Sequence, residues 1–99
     1  MNAIILAILA AVVAHHTVTL TWAPSTGANV TNYRLYKQGP KVEDWHWVKL
    51  IPATVCTPTC QYVDPVLGGQ TLGYFVTAVD SSNQESIPSN AVVVTIPSP

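Results

Sequence analysis

The chain has 99 residues, enough for one domain and too few for two. Charged residues make up only 9% of the sequence and the net charge is −1. Four basic residues mixed with five acidic ones do not form the basic face that nucleic-acid binding requires. The composition therefore predicts one small globular domain and excludes nucleic acid as its partner.

The first fourteen residues, MNAIILAILAAVVA, form an apolar segment. The unbroken apolar run of residues 3–14 is too short for a membrane-spanning helix, which needs roughly 20 residues. It is typical of the hydrophobic region of a secretory signal, although no basic residue precedes it. Because Val12 and Ala14 fit the small-residue positions before a cleavage site, we predict a signal peptide over residues 1–14. The alternatives are an uncleaved membrane anchor, a buried core helix and an N-terminal strand.

From His16 onward the hydrophobic pattern has a period of two. Val18, Leu20 and Trp22 alternate with threonines, which is typical of a half-buried strand. Six strands separated by proline- and glycine-containing turns are predicted at residues 16–22, 32–37, 45–51, 61–63, 72–79 and 91–96. No segment in this region has helical periodicity. The pattern predicts an all-β protein with an antiparallel sandwich over residues 15–99.

Four stretches, HTVTLTWAPST, TNYRLYK, YVDPVLGGQT and YFVTAVDSSNQESIPSN, resemble the fibronectin type III module in their order and spacing. The resemblance is to modules of exported bacterial and phage-associated proteins, and it covers residues 16–97. It implies an immunoglobulin-like β-sandwich and core positions for Trp22, Tyr33 and Leu35.

Two features depart from the family pattern. Leu72 stands where the family has a tyrosine that hydrogen-bonds to a neighbouring corner, and Tyr74, on the same face, is expected to compensate in part. The family's first strand is also missing after residue 14. Cleavage after Ala14 would leave an open sheet edge that can pair with another chain. If the segment is retained, part of residues 10–14 is expected to serve as the first strand.

The only two cysteines, Cys56 and Cys60, are separated by a Thr-Pro-Thr turn. An exported chain meets an oxidising compartment, and an even number of cysteines fits one disulfide, which is our prediction. Free thiols, a metal site and a redox pair are the alternatives. A structural zinc site needs four ligands, and the strand order does not bring His15, His16 or His46 beside this turn. We therefore predict no metal site.

Trp45, His46 and Trp47 form the candidate partner-binding site. In a strand the two tryptophans lie on one face and the histidine on the other. Either the tryptophans cover the sandwich core, or they form an exposed aromatic pair that stacks on sugar rings or anchors a protein partner. Trp45 is expected to be the more exposed of the two, because it lies nearer the loop of residues 38–44.

The sequence contains no catalytic motif and no site for a cofactor. The five acidic residues are placed in loops or at strand ends, and no nucleophile elbow or phosphate-binding glycine loop is present. We therefore predict a secreted or periplasmic module that is not an enzyme and that binds a protein or carbohydrate. The membrane is contacted only transiently, through the signal segment, unless that segment is an anchor. The alternative function is a structural module that self-associates in an extracellular or virion assembly.

Overall fold

The structure, a computed structural model, describes residues 9–14, 16–25, 29–39, 45–56 and 58–98, without the side chains of His46 and Trp47. These residues form seven strands and one short 3-10 helix: β1 (Ala10–Ala14), β2 (Thr17–Trp22), β3 (Val30–Gln38), β4 (Trp45–Pro52), η1 (Ala53–Val55), β5 (Cys60–Pro65), β6 (Thr71–Asp80) and β7 (Val92–Thr95). None of the described residues belongs to a helix that could cross a membrane.

The seven strands form two antiparallel sheets with the core between them. One sheet has the order β1-β2-β5 and the other has the order β4-β3-β6-β7. Strands β2 to β7 lie at the six places that the alternating pattern predicts, with ends that differ by one to a few residues. The predicted antiparallel β-sandwich is confirmed.

The core contains Trp22, Tyr33 and Leu35, for which the resemblance implies core positions, together with Leu72 and Tyr74. Trp22, Tyr33, Leu35, Leu72 and Tyr74 are each at most 1% exposed. The rings of Trp22 and Tyr33 meet edge to face, with their centroids 5.6 Å apart. The hydroxyl of Tyr33 accepts a hydrogen bond from the Ser25 N–H at 2.7 Å, so this buried ring keeps its polar end paired.

Strand β1 comes from the apolar N-terminal segment. Ala10–Ala14 pair with Thr17–Trp22 of β2, and Leu9, just before the strand, is 1% exposed in the core. The Asn90 side chain holds the main chain of Leu9: its Oδ1 accepts from the Leu9 N–H at 2.8 Å, and its Nδ2 donates to the Leu9 carbonyl at 3.1 Å. Cleavage after Ala14 stays a prediction, and it would remove both β1 and Leu9 from this fold.

Serine side chains cover the part of β6 that extends beyond β7. Strand β7 pairs only with residues 71–74 of β6. Further along, the Ala78 N–H donates to Ser86 Oγ at 2.9 Å and the Val76 N–H donates to Ser89 Oγ at 3.0 Å. The main-chain N–H groups of the same serines donate back to the carbonyls of Ala78 and Val76. This loop therefore satisfies a sheet edge without forming a regular strand.

Candidate functional site

Three aromatic side chains stand side by side on the outer face of the four-stranded sheet. We call Tyr36 of β3, Phe75 of β6 and Trp45 of β4 the aromatic ridge. Tyr36 and Phe75 occupy paired positions and are stacked, with ring centroids 4.6 Å apart and planes 13° apart. Trp45 leans on Phe75 at 4.9 Å and is 37% exposed. The stack holds each ring in place and leaves the Trp45 indole partly open to solvent.

Gly73 makes room for the Trp45 indole. Gln38 of β3 pairs with Trp45 on one side and with Gly73 on the other, so the indole extends across β3. A Cβ atom at position 73 would come within 2.9 Å of Trp45 Cη2 and 3.3 Å of Gln38 Oε1. Any larger residue would therefore displace the indole, and the glycine fixes where the exposed ring lies.

The Glu85 carboxylate borders the aromatic ridge and ties three elements together. It accepts hydrogen bonds from the Tyr36 hydroxyl at 2.6 Å, from Thr77 Oγ1 at 2.7 Å and from Arg34 Nη1 at 2.8 Å. Asn83 Oδ1 accepts a second bond from the Arg34 guanidinium at 3.3 Å. Because Arg34 and Glu85 neutralise each other, this border carries no net charge.

The contacts of Glu85 shift the titration of the groups around it. Partial burial raises the pKa of the Glu85 carboxyl, but hydrogen bonds from Tyr36 and Thr77 and the charge of Arg34 outweigh it and hold the pKa below its ordinary value. Burial, followed by the hydrogen bond to Glu85, raises the pKa of the Tyr36 phenol. At neutral pH the carboxylate is therefore ionised and the phenol is protonated, as this hydrogen bond requires.

A second polar cluster lies inside the sandwich and joins the two sheets. Asp64 of β5 accepts a hydrogen bond from the Tyr74 hydroxyl of β6 at 2.6 Å and forms an ion pair with Lys37 of β3 at 2.9 Å. Burial, and then the contact with Asp64, raise the pKa of the Tyr74 phenol. Tyr74 thus makes a side-chain hydrogen bond between the two sheets. Leu72, which stands where the family has a hydrogen-bonding tyrosine, has no polar group with which to make one.

A shallow cleft of about 350 Å³ opens beside this cluster. Its lining is Lys37, Pro65, Val66, Leu67 and Gln70. The ammonium group of Lys37 is already bound to Asp64. Pro65, Val66 and Leu67 contribute apolar surface, and Gln70 contributes a side-chain amide. The lining therefore offers an amide for recognition and no unpaired charge.

The predicted site residues fall in two places. Cys56 and Cys60 form the predicted disulfide, which closes the turn between η1 and β5. Trp45 lies on the aromatic ridge, whereas the side chains of its predicted partners His46 and Trp47 lie outside the described residues. Residues 40–44, the loop expected to flank this site, also lie outside them. Among the described residues there is no group of three histidine, cysteine or acidic side chains that could hold a metal ion.

The sequence pattern alone does not identify Phe75, Glu85 and Gly73 as parts of the site. Alternation along β3 does place Arg34 and Tyr36 on the face opposite the buried Tyr33 and Leu35, which is one half of the signal. The other half is the register of β3 with β6, which pairs Tyr36 with Phe75 and Arg34 with Thr77. Alternation along a strand predicts which face a residue occupies, but not which residue of the next strand it meets.

No protein-family model matches the chain, and no curated protein matches it by sequence. Among solved structures, a fibronectin type III-like protein from Clostridium thermocellum is 24% identical, with a TM-score of 0.67, and the match covers 92% of this chain and 90% of that protein. The chain has the fibronectin type III fold. The predicted resemblance is thereby confirmed at the level of the fold.

The same fold occurs within larger proteins. A β-1,2-glucanase from Parabacteroides distasonis is 23% identical with a TM-score of 0.79, over 99% of this chain and 13% of that enzyme. A pectate lyase from Erwinia chrysanthemi, solved in complex with tetragalacturonic acid, is 20% identical with a TM-score of 0.69, over 89% of this chain and 28% of that enzyme. The chain thus spans less than a third of either enzyme.

Proposed function

We propose that this fibronectin type III-fold chain is a non-catalytic module that binds a neutral glycan through the aromatic ridge. The observation that carries the proposal is the exposed Trp45 indole, fixed against Phe75 and seated over Gly73. An aromatic side chain held in one orientation loses little conformational freedom when it contacts a ligand. A flat apolar ring beside polar groups suits the alternating apolar and hydroxyl-bearing surface of a sugar.

Charge favours a neutral glycan over an acidic one. Among the described residues, the ionic groups that border the ridge are Arg34 and Glu85, and they are paired with each other, so neither is left to bind a carboxylate of the ligand. An acidic polysaccharide would have to break this pair or approach without a counter-charge. An uncharged sugar chain can lie on the ridge and leave the pair in place.

The state of the carboxylates supports a role without catalysis. Asp64 is held by Tyr74 and Lys37, Glu85 is held by three donors, and Asp80 accepts from the N–H groups of Ser82 and Gln84 in a turn. Each described carboxylate thus has a structural task, and none faces another across a pocket. The two enzymes named above, in which a similar region makes up less than a third of the chain, offer a precedent for such an accessory module.

We also propose that the protein acts outside the cytoplasm. The Cys56–Cys60 disulfide suits an oxidising compartment, and the apolar residues 1–14 suit export. Intact masses of the native protein from medium and cell fractions, before and after reduction, test this part. A cell-associated chain with free thiols would contradict it.

The binding site is tested by NMR titration of the folded protein with two probes, a β-1,2-linked gluco-oligosaccharide and tetragalacturonic acid. We expect the neutral probe to shift the amide signals of β3 and β6, and the acidic probe to bind more weakly. Trp45→Ala should weaken binding by about tenfold or more, since truncation of a central tryptophan is among the costliest changes at an interface. Trp45→Phe should retain part of the affinity.

Val63→Ala is the matched control, because Val63 is similarly exposed, at 46%, but lies on the other sheet. It should leave the titration unchanged. Shifts centred on the three-stranded sheet, or a loss of binding in Val63→Ala equal to that in Trp45→Ala, would refute the ridge as the site. Thermal unfolding of each variant shows whether a lost signal reflects lost structure.

A further inference from the structure

The outer edge of β1 carries main-chain groups that pair with no strand in the described part of the chain, although β7 of the other sheet lies near it. β1 pairs with β2 on one side only. The N–H and C=O of Leu9 point away from β2, because both are bound by the Asn90 side chain. Alternate residues of a strand direct their main-chain groups to the same side, so those of Ala11 and Val13 also point to the open edge.

This edge lacks the features that usually prevent strands from pairing edge to edge. Residues Ala10–Ala14 include no charge and no proline, and their register with β2 runs without a bulge. Strand β4, one of the two outer strands of the other sheet, is different: it contains Lys49 and Pro52, and its pairing with β3 is interrupted by a register shift. The features that prevent edge-to-edge pairing are thus present in β4 and missing in β1.

The outer face beside this edge is also uncharged. Val12 of β1 lies next to Thr19 of β2, which lies next to Val63 of β5. The rows on either side of it are also uncharged. One consists of Ala10, Thr21 and Gln61, and the other consists of Ala14, Thr17 and Pro65. Two such faces can be placed side by side without opposing like charges.

We propose that two copies of this chain pair through β1, antiparallel, around a two-fold axis at Val12. In this register Ala11 lies opposite Val13 of the second copy and Val13 lies opposite its Ala11, so the open N–H and C=O groups of both chains are paired. The two three-stranded sheets become one sheet of six strands. This surface is separate from the aromatic ridge, which lies on the other sheet.

The short length of the open edge favours a second copy over another extended segment. The Asn90 side chain occupies the Leu9 main-chain groups at one end, and the chain turns back into β2 after Ala14 at the other. Among the described residues, only the stretch from Ala11 to Val13 remains, and in antiparallel pairing it is its own complement. A longer foreign strand would leave most of its main-chain groups unpaired.

The test is sedimentation equilibrium of the full chain over a wide concentration range, with Val12→Lys and Val48→Lys as matched variants. Val12 and Val48 are both exposed, at 64% and 43%, but Val48 lies on β4, at the edge of the other sheet opposite β7. We expect a concentration-dependent dimer that Val48→Lys leaves unchanged. Val12→Lys should weaken it by about tenfold or more, because two lysines then face each other at the axis.

A charge-swap mixture separates lost association from lost folding. Val12→Lys and Val12→Glu should each be monomeric alone and should form a dimer when mixed, because opposite charges then meet at the axis. In hydrogen exchange, the Ala11 and Val13 amides should become protected only at concentrations where the dimer forms. A chain that stays monomeric throughout, or a dimer that both lysine variants affect equally, would overturn the proposal.

Discussion

The two outer faces of the sandwich differ in the kind of contact that each can make. The four-stranded sheet carries three adjoining aromatic rings, an ion pair and a carboxylate with three donors. The outer positions of the three-stranded sheet are alanine, valine, threonine, glutamine and proline, with no charge among them. On the first face, contacts among the side chains fix their positions without a partner. The second sheet instead has an edge strand with unpaired main-chain groups.

The polar groups of the two sheets make different kinds of contact. On the four-stranded sheet, side chains hydrogen-bond to one another on the surface, which fixes ring positions and suits the recognition of a ligand. On the three-stranded sheet, the unpaired groups are those of the main chain, and main-chain groups recognise another strand of almost any sequence. Specific binding is therefore expected from the first sheet and self-pairing from the second.

The largest expected effect comes from removing β1. A chain that begins at His15 loses one strand of three and leaves the space of the Leu9 side chain empty. Its free energy of unfolding should fall by at least about 3 kcal/mol, the cost of truncating one buried leucine. Urea unfolding of this variant and of the full chain measures the difference, and Val12→Thr should stay within about 0.5 kcal/mol of the full chain. Equal stability of the long and short chains would show that β1 is dispensable.

A smaller loss is expected when the polar cluster between the sheets is broken. Asp64→Ala leaves Lys37 and the Tyr74 hydroxyl without their partner inside the sandwich, at a cost of about 3 kcal/mol. Tyr74→Phe removes one hydrogen bond but leaves the ion pair, and it should cost about 1 kcal/mol. Chemical unfolding of both variants and of the double variant measures the coupling. If Asp64→Ala costs no more than Tyr74→Phe, the ion pair contributes nothing to the joining of the sheets.

The smallest effect should appear at the surface, in the pH dependence of stability. Folding lowers the pKa of Glu85, so its carboxylate stabilises the native state at pH values above its unfolded pKa. That contribution is lost as the pH falls through the folded pKa. Glu85→Gln should cost about 1 kcal/mol at neutral pH and should flatten the stability profile on the acid side. Parallel profiles for the two proteins would mean that other groups cause the acid sensitivity.

Much of the fold could be predicted because its signals are local. Alternation in the stretch from Thr17 to Trp22 depends only on neighbouring residues, and it predicted both the strand and its buried face. The β1 strand was different, because an apolar run such as AAVVA satisfies a secretory signal and a sheet edge equally well. What places it in the sheet is the pairing with β2 and the contact with Asn90, and neither is visible from the run itself.

The candidate site was predicted only in part, for the same reason. Trp45 stood out because tryptophans are rare, and its place at the start of a strand predicted some exposure. The contribution of Phe75 depends on the register between β3 and β6, and that of Glu85 depends on the loop after β6 folding back along the strand. Ser86 and Ser89 look like ordinary loop residues until the N–H groups of β6 that they cover are known.

The contact between Asn90 and Leu9 has a consequence for the order of events during synthesis. The two residues are 81 positions apart, so the contact can form only after Asn90 has left the ribosome. Until then β1 can pair with β2 but lacks the two hydrogen bonds that hold the main chain of Leu9. If the chain is exported, as proposed, recognition of residues 1–14 would compete with the formation of this late contact.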